Sequence, residues 1–368
     1  MVFRFVFAAT FVFALGFSAH TALAQDQNSQ TLERLSRIVE AWRQSPHADF
    51  ESQAFTHWND EEARQVPGSC AVCHSGIGFN SYVTGDMSVA GILDHPTPLG
   101  NTVDCAACHG EGATNLTEVP FPSGVRLDGF ETSAVCVVCH QGRAAGVTVQ
   151  NATAGLEDDT VSEALSFINV HYSPSAGTQM GSVAGTGYQY EGRTYKGQFT
   201  HVSDFQQCTD CHRPHSLASV PIENCTACHQ GAEAFSDIRI SPADFDGDGD
   251  VSEGIGEPIK EMHGRLYAAI QSYARDVAGT AVIYADRYPH FFIDTDGDGA
   301  ATEGEVAFPN RYASWTPRLL KAAYNYQFIA KDKAAYAHNP HYALQILYDT
   351  LEDLSGSVDV DMAKPTRP

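Results

Sequence analysis

The sequence predicts a mainly α-helical fold with much irregular loop, and three observations carry this prediction. Apolar residues recur at three- and four-residue steps near the N-terminus and again in the last third of the chain, as in amphipathic helices. All ten cysteines lie between these two parts, in short repeats joined by segments with many Gly and Pro residues. Two acidic, glycine-containing loops interrupt the C-terminal helices. We therefore expect long helices at the end of the chain and short helices joined by loops in its middle.

Composition and charge exclude several classes of protein. The 368 residues are 43% hydrophobic and 10% aromatic, which is enough to form a folded core. The chain has 45 acidic and 22 basic residues and a formal net charge of −23. Such a chain is repelled by polyanions, so we expect no binding to nucleic acid or to anionic lipid headgroups.

The first 24 residues have the pattern of a secretory signal peptide. Arg4 is followed by an apolar run over residues 5–17, and Ala22-Leu23-Ala24 forms a small-x-small cleavage site. The apolar run is shorter than the roughly 20 residues that cross a bilayer. We therefore expect an exported protein without a transmembrane helix in its mature chain, either periplasmic or extracellular and associated with the outer membrane. A signal left uncleaved would instead tether its N-terminus.

In an exported chain, ten cysteines first suggest disulfide bonds. Here every cysteine instead belongs to a pair separated by two residues, and a histidine follows each pair. This is the c-type haem attachment motif. Zinc knuckles and dithiol redox centres share the cysteine spacing but do not require the histidine, so we predict five covalently bound haem c groups. The five copies are Cys70-Ala-Val-Cys73-His74, Cys105-Ala-Ala-Cys108-His109, Cys136-Val-Val-Cys139-His140, Cys208-Thr-Asp-Cys211-His212 and Cys225-Thr-Ala-Cys228-His229.

The second axial ligand of each haem decides between an electron carrier and a catalyst, because an open position can bind substrate. Histidine is the best-supplied candidate, since ten histidines of the mature chain lie outside the motifs. Placement favours the candidates His47, His57, His171, His201 and His215. His338 is intermediate. The histidines for which structural roles are expected are His95, His263, His290 and His341.

The chain divides by composition into an N-terminal helical segment (25–69), a five-haem domain (70–230) and a helical calcium-binding domain (231–368). In the first segment, the residues with helical spacing are Leu32, Leu35, Ile38, Val39 and Trp42. In the five-haem domain, the haems must nearly touch, and residues 181–195 are expected to form a β-hairpin or an extended loop. In the last domain, three apolar stripes predict core helices near residues 259–277, 315–329 and 342–354.

Two acidic loops resemble the EF-hand calcium loop, in which oxygen ligands at positions 1, 3, 5, 7, 9 and 12 surround the ion. The second loop fits at every demanding position. Its predicted ligand residues are Asp294, Asp296, Asp298, Ala300, Thr302 and Glu305, with Glu303 at position 10.

The first loop keeps the early carboxylates but has Ile255 at position 12. A carboxylate at position 10, or Glu257, would then have to complete this site. Because two such loops occur in one domain, we expect two structural Ca²⁺ ions. The predicted ligands in the first loop are Asp244, Asp246, Asp248, Asp250 and Glu253.

The order of several segments resembles the bacterial polyhaem membrane-associated cytochromes c over nearly the whole mature chain. These segments are AFTHWN, the five haem motifs, NVHY, THV, CHRPH, DFDGDGDVSEGI, LYAAIQSYA, PHFFIDTDGDG and RLLKAAYNYQ. The resemblance implies electron transfer at the cell envelope and calcium loops. It also supports six non-motif histidines as recurrent, one more than five haems need: His47, His57, His171, His201, His215 and His338.

The sequence therefore predicts an electron-transfer protein, not an enzyme, with mostly bis-His haems and a redox partner that has a basic face. Calcium-dependent adhesion through the C-terminal domain would explain the acidic loops but not the haem motifs, and two further alternatives stay open. One is an oxidoreductase of the nitrite-reductase type with one open haem, although such enzymes commonly have Lys in place of one motif His. The other is a subunit of a conductive extracellular filament, in which a neighbouring subunit supplies one distal histidine.

Overall fold

The fold is built from helices and loops, with little sheet. The computed structural model describes residues 27, 29–203 and 205–368, so the expected signal peptide lies outside the described residues. Sheet in the described chain is limited to three two-stranded antiparallel pairs, which confirms the mainly α prediction. Within these same ranges, we find no helix with both the length and the apolar character that crossing a membrane requires.

Apart from α1, the helices before residue 231 are short, and four of the five cysteine motifs lie on these short helices. Their brevity follows from the frequent Gly and Pro residues, and side chains such as Asp104 cap them by accepting hydrogen bonds from backbone N–H groups. The fifth motif lies in consecutive turns after residue 224. The helices are α1 (29–43), α2 (Gln53–Thr56), α3 (Gly68–His74), α4 (Gly76–Thr84), α5 (Cys105–His109), α6 (Glu111–Thr114), α7 (Ala134–Cys139), α8 (Gly146–Thr153), α9 (Ser175–Met180) and α10 (Cys208–Cys211).

The strands form short antiparallel pairs that join neighbouring loops. Each pair is antiparallel, and each strand has only two or three residues. The pairs are β1 (Gln65–Val66) with β2 (Thr97–Pro98), β3 (Glu118–Pro120) with β4 (Arg126–Asp128), and β5 (Val282–Tyr284) with β6 (Phe291–Ile293).

The C-terminal region forms a helical layer with a true apolar core. The helices are α11 (Gly256–Asp276), α12 (Pro317–Lys331), α13 (Ala335–His338) and α14 (Pro340–Ser355). Thr316 and Asn339 cap α12 and α14, and each of these helices begins with proline, whose fixed φ suits a first turn. The three predicted stripes are buried along these helices, which confirms them as core.

The long interval between the third and fourth motifs packs across the C-terminal helices. Apolar residues from 144 to 170 belong to the same core as α11, α12 and α14. After a 3₁₀ turn at Gly181–Val183, residues 184–196 contain no strand, so the interval is an extended loop and not a hairpin. Asn325 fixes this loop through hydrogen bonds to both the N–H and the carbonyl of Tyr188. The apolar core therefore crosses the boundary at residue 230 that composition suggested.

A smaller apolar cluster, from Trp58 to Ala184, supports the first three motifs. The chain that carries the last two motifs is different. Between Ala184 and Phe245, no described apolar residue is buried.

Candidate haem cavity and acidic loops

One large cavity collects the cysteine motifs. Its volume is about 2370 Å³, whereas a site for one small ligand has about 300–1,000 Å³. All ten cysteines and all five motif histidines line it, and the cysteines form no disulfides. Its wall is completed by α1 on one side and by the end of α12 with α13 on the other. The cavity is thus a shared space for several large groups.

Within this cavity, four motif histidines face histidines from elsewhere in the chain. The ring centroids of each pair are 5.9 to 6.3 Å apart. Two imidazoles bound to opposite sides of one metal ion, with bonds of about 2 Å, have centroids roughly 6 Å apart. The pairs and centroid distances are His74–His171 at 5.9 Å, His109–His215 at 6.2 Å, His140–His47 at 6.3 Å and His229–His201 at 5.9 Å.

The remaining motif histidine, His212, shares the cavity with His338. Repulsion from His338 is one cause, after burial, of the lowered pKa of His212. His338 also acts on His140, whose ring already faces His47. His338 therefore lies near the motif histidines of both the third and the fourth motifs.

Hydrogen bonds orient several of these rings. His74 Nδ1 lies 2.8 Å from the carbonyl oxygen of Ala54, so that Nε2 is left for the cavity. His171 has a left-handed backbone with φ of +69°, which is uncommon for a residue other than glycine. It is held there because Asn169 Oδ1 accepts from its own N–H at 2.8 Å and Gln327 Oε1 accepts from Val170 N–H at 2.8 Å.

Burial keeps the deepest of these rings neutral. It lowers the pKa of His140 to about 4, with further repulsion from His47. It also lowers the pKa of His171 to about 4, with the charge of Arg143 as the second cause. A metal ion binds the unprotonated nitrogen of imidazole, so both rings are ready to act as ligands at neutral pH.

Cysteines of different motifs lie side by side along the cavity. The thiols of Cys73 and Cys139 lie close enough to shift each other's pKa, and so do those of Cys136 and Cys208. The first motif therefore adjoins the third, and the third adjoins the fourth. Weaker electrostatic contacts join the fifth motif to the fourth and the second to the third, through Cys225 with Cys211 and Cys108 with Cys139.

The structure separates His57 from the other five candidate histidines. His57 is exposed and does not line the cavity, and Trp58, whose ring contacts His57, packs against His74. The N-terminal segment still reaches two motifs, since Ala54 contacts the first and His47 faces the third.

The other non-motif histidines mostly have local partners. His95 pairs with Asp94 on the surface. His263 stacks on Tyr326 with ring centroids 4.2 Å apart, and buried His290 lies 3.1 Å from the carbonyl of Ala285. His341 differs, because it lines the cavity while its ring packs against Phe245. The sequence held no signal for the cavity position of His341.

The second acidic loop brings its ligand candidates together. Oxygens of Asp294, Asp296 and Glu305 lie within 4.8 Å of one another. Glu305 is buried, and Thr302 donates a hydrogen bond to it, which is the main reason that its pKa falls to about 2. The carboxylate at position 12 is therefore ionised and turned into the loop. Of the remaining candidates, Asp298 accepts from the N–H of Ala300, and Glu303 is outside this group.

The first acidic loop has a similar group, although its sequence departs further from the EF-hand pattern. Oxygens of Asp244, Asp246 and Asp248 lie within 4.8 Å of one another. Asp246 is only 2% exposed, and its Oδ1 has no hydrogen-bond partner. Leaving a buried acceptor unpaired costs about 1–3 kcal/mol, so this oxygen lacks the partner that a bound cation would supply.

The two remaining candidates of the first loop have protein partners. Asp250 accepts from the hydroxyl of Ser252 at 2.6 Å. Glu253 lies 3.4 Å from Nη1 of Arg239. Its pKa is nevertheless raised, first by burial and then by the nearby charges of Asp246 and Asp248. In this loop, position 10 is therefore shared between the acidic group and an arginine.

Comparison with known proteins identifies relatives of the same chemical type. The chain is 23% identical, over 83% of its length, to the C-type polyheme cytochrome OmcB of Geobacter sulfurreducens. It is also 23% identical, again over 83% of its length, to the C-type polyheme cytochrome OmcC of that organism. The alignments cover 46% of OmcB and 45% of OmcC, so the chain matches about half the length of these relatives.

No protein-family model matches the chain, and no solved structure matches it. The assignment therefore depends on the two relatives and on the motifs that line the cavity. The homology supports membership of this chain in the multihaem cytochrome c family.

Proposed function

We propose that this chain is an exported pentahaem c-type cytochrome that passes electrons between redox partners through five bis-His haems. One observation carries the proposal: four motif histidines face a second histidine at the spacing expected for two axial ligands of one metal ion, and the fifth, His212, shares the cavity with His338. A haem with both axial positions filled binds no substrate and exchanges electrons, and His ligation favours a low potential. Bound haem supplies the one-electron redox chemistry.

The cavity fits covalently bound haem in three respects. Its ten thiols are unpaired, its histidines are available as ligands, and cationic side chains stand at its wall for the propionates. Arg143 is the best placed of these, since it acts on both His74 and His171 and forms no ion pair with a described residue. In this proposal, each motif supplies two thioethers and one axial ligand.

The distal ligands follow from the pairs. We assign His171 to the first haem, His215 to the second, His47 to the third, His338 to the fourth and His201 to the fifth. His57 is then the surplus member of the six candidates. It serves in packing against Trp58, next to the ring of His74.

Contacts between motifs suggest the path of the electrons. The first, third, fourth and fifth haems would follow one another, with the second beside the third, because their cysteines adjoin in this order. Neighbouring haems would then be separated by little more than the cysteines that hold them. A path with the second haem as a branch offers more than one place for electrons to enter or leave.

The pairs also bear on the two alternatives. Four motif histidines have a histidine of the same chain opposite them, and we propose His338 for the remaining one, an arrangement that favours electron transfer over a substrate-binding open haem. A neighbouring subunit is not needed to complete any haem, so filament formation would not require a shared ligand. For the partner, we expect a redox protein with a basic face, because the chain carries a net charge of −23.

The native spectrum tests the proposal. Mass spectrometry of the purified protein should find five haems, and ferric EPR spectra should find all five irons low-spin. These spectra should not change on dilution. A high-spin signal equivalent to one haem at every concentration would favour an open catalytic site, and one that appears only on dilution would favour ligand sharing between subunits.

We further propose that both acidic loops bind Ca²⁺ and stabilise the C-terminal helices. The unpaired Asp246 oxygen supports the first site, and the inward position of Glu305 supports the second. When the free Ca²⁺ concentration is 100 times the Kd of a site, the bound ion stabilises the folded protein by about 2.7 kcal/mol, and chelation removes this stabilisation. Chelation should therefore lower the Tm of the protein before it alters the haem spectrum.

Two variants of the second loop make the calcium test specific. Glu305→Gln should weaken calcium binding and reduce the Tm shift on chelation. Glu303→Gln, in the same loop but outside the group of oxygens, is the matched control and should behave like the wild type. An unchanged Tm on chelation of the wild type would contradict the calcium proposal.

A further inference from the structure

The hydrogen bonds behind the proposed axial histidines differ in charge. His338 Nδ1 lies 2.7 and 3.0 Å from the two carboxylate oxygens of Asp332. His74 Nδ1 instead lies 2.8 Å from a neutral carbonyl oxygen, that of Ala54. A carboxylate behind an imidazole makes it a stronger electron donor to a metal than a neutral acceptor does. The fourth haem therefore has a different environment from the first.

Asp332 is held rigidly and is directed at His338. It follows α12 directly and is 4% exposed. Its Oδ1 also accepts from the N–H of Ala334 at 3.3 Å, and its carbonyl accepts from the N–H of Ala335, which begins α13. His338 ends the same short helix. Two adjoining turns thus fix both members of the pair.

The charge of Asp332 is not neutralised by a neighbouring cation. Lys331, the preceding residue, forms its ion pair with Asp286. Among the salt bridges of the described residues, Asp332 appears only with His338. A buried charge acts more strongly than an exposed one, because little water screens it.

We propose that Asp332 is a positioning residue that orients His338 toward the fourth haem and lowers the reduction potential of that haem. The carboxylate keeps the proton on Nδ1, which leaves the Nε2 lone pair for the iron. The negative charge favours the ferric state over the ferrous state, which has one positive charge fewer. The inference rests on the proposed ligation of the fourth haem by His338.

The direct test is Asp332→Asn in the haem-loaded protein. The side-chain oxygen of asparagine can still accept a hydrogen bond from Nδ1–H, so the variant removes the charge and retains the hydrogen bond. In a spectroelectrochemical titration, one of the five one-electron steps should move to higher potential. We expect at least a tenfold change in the equilibrium constant for that reduction, about 59 mV for one electron. All five haems should remain low-spin.

Three further variants complete the test. Asp94→Asn removes the other carboxylate paired with a histidine, at His95 on the surface, and should leave every step unchanged. Asp332→Glu retains the charge and should keep the potential close to that of the wild type. Asp332→Ser also removes the charge and should raise the potential as Asp332→Asn does. It serves as the test if the asparagine variant does not fold with its haems attached.

The outcome separates this inference from the proposed function. His338→Ala should leave one haem high-spin. If it does so while neither Asp332→Asn nor Asp332→Ser moves any potential, the role of Asp332 is wrong and the ligation stands. If His338→Ala leaves all five haems low-spin, the assignment of His338 as a ligand is wrong, and the role of Asp332 falls with it.

Discussion

The C-terminal helices and the segment that carries the last two motifs are built in opposite ways. In α11, α12 and α14, large side chains such as Leu266, Leu320 and Phe328 are fully buried against one another. From residue 185 to 244, no described apolar side chain is buried, and the interior of that segment faces the cavity. Burial of apolar surface is the main favourable contribution to folding. The first region therefore has its own driving force, whereas the second depends on the haems.

The two regions are nevertheless joined at the ligands. Gln327 on α12 holds the backbone next to His171, and His338 on α13 enters the cavity itself. The self-sufficient region thus positions two of the proposed distal ligands for haems whose cysteines would lie elsewhere. We infer that the C-terminal helices act as a template on which the haem segments are assembled.

The largest expected effect is that of haem on the motif segments. Without haem attachment, amides of residues 198–240 should exchange hydrogen rapidly, while those of α11, α12 and α14 stay protected. In the haem-loaded protein, both groups should be protected. Hydrogen exchange read by mass spectrometry makes this comparison. Equal protection of residues 198–240 with and without haem would show that this segment does not depend on the cofactor.

Cavity formation in the C-terminal core should have the next largest effect. Leu320 is fully buried, so Leu320→Ala should lower the free energy of unfolding by about 2–5 kcal/mol. Leu35→Ala on α1, where the side chain is more than half exposed, should change it by less than about 0.5 kcal/mol. Urea denaturation followed by circular dichroism measures both. Similar losses in the two variants would contradict a core that includes Leu320 and leaves Leu35 at the surface.

A smaller effect is expected where α12 holds the backbone before His171. Gln327→Leu leaves the buried N–H of Val170 without its acceptor, which should cost about 1–3 kcal/mol. Because His171 follows directly, the variant should also produce a high-spin fraction equivalent to at most one haem. Gln345→Leu removes a similar hydrogen bond, to the N–H of Lys196, which does not adjoin a proposed axial histidine, and a second one to the carbonyl of Pro368. It should lower stability without a high-spin signal in the EPR spectrum.

The smallest effect concerns pH and the C-terminal layer alone. A hydrogen bond from Arg318 lowers the pKa of Asp159 below its usual value. Its stabilisation is therefore fully present above the unfolded pKa of about 4 and is lost as the pH falls below it. Since Asp159 is partly exposed, the contribution should be about 0.5 kcal/mol. Asp159→Asn should flatten the loss of stability between pH 4 and pH 3 in urea denaturation, and an unchanged loss would contradict this contribution.

Local patterns predicted part of this arrangement well. Each cysteine motif is a run of five consecutive residues, and the C-terminal apolar stripes repeat with the helical period. Both can therefore be recognised without knowing which distant residues they contact. Residues 181–195 were harder, because the hydrogen bonds that hold them extended come from Asn325 and Tyr324, far away in sequence.

The pairing of histidines could not be predicted, for the same reason. Nothing in the sequence near His57 or His171 tells which of them faces His74, because the answer depends on how α12 holds the loop before His171. Asp332, Gln327 and Ala54 belong to no motif, yet they orient the rings. That an oxygen of Asp246 is buried and unpaired could not be predicted either. In the sequence, Ile255 at position 12 made this loop look like the weaker calcium site.

The most direct test of the central claim compares His171→Ala with His57→Ala by ferric EPR. Both histidines resemble ligands in the sequence, but only His171 faces a motif histidine in the cavity. The account predicts one high-spin haem out of five in His171→Ala and none in His57→Ala. A high-spin haem in His57→Ala, with His171→Ala unchanged, would contradict it.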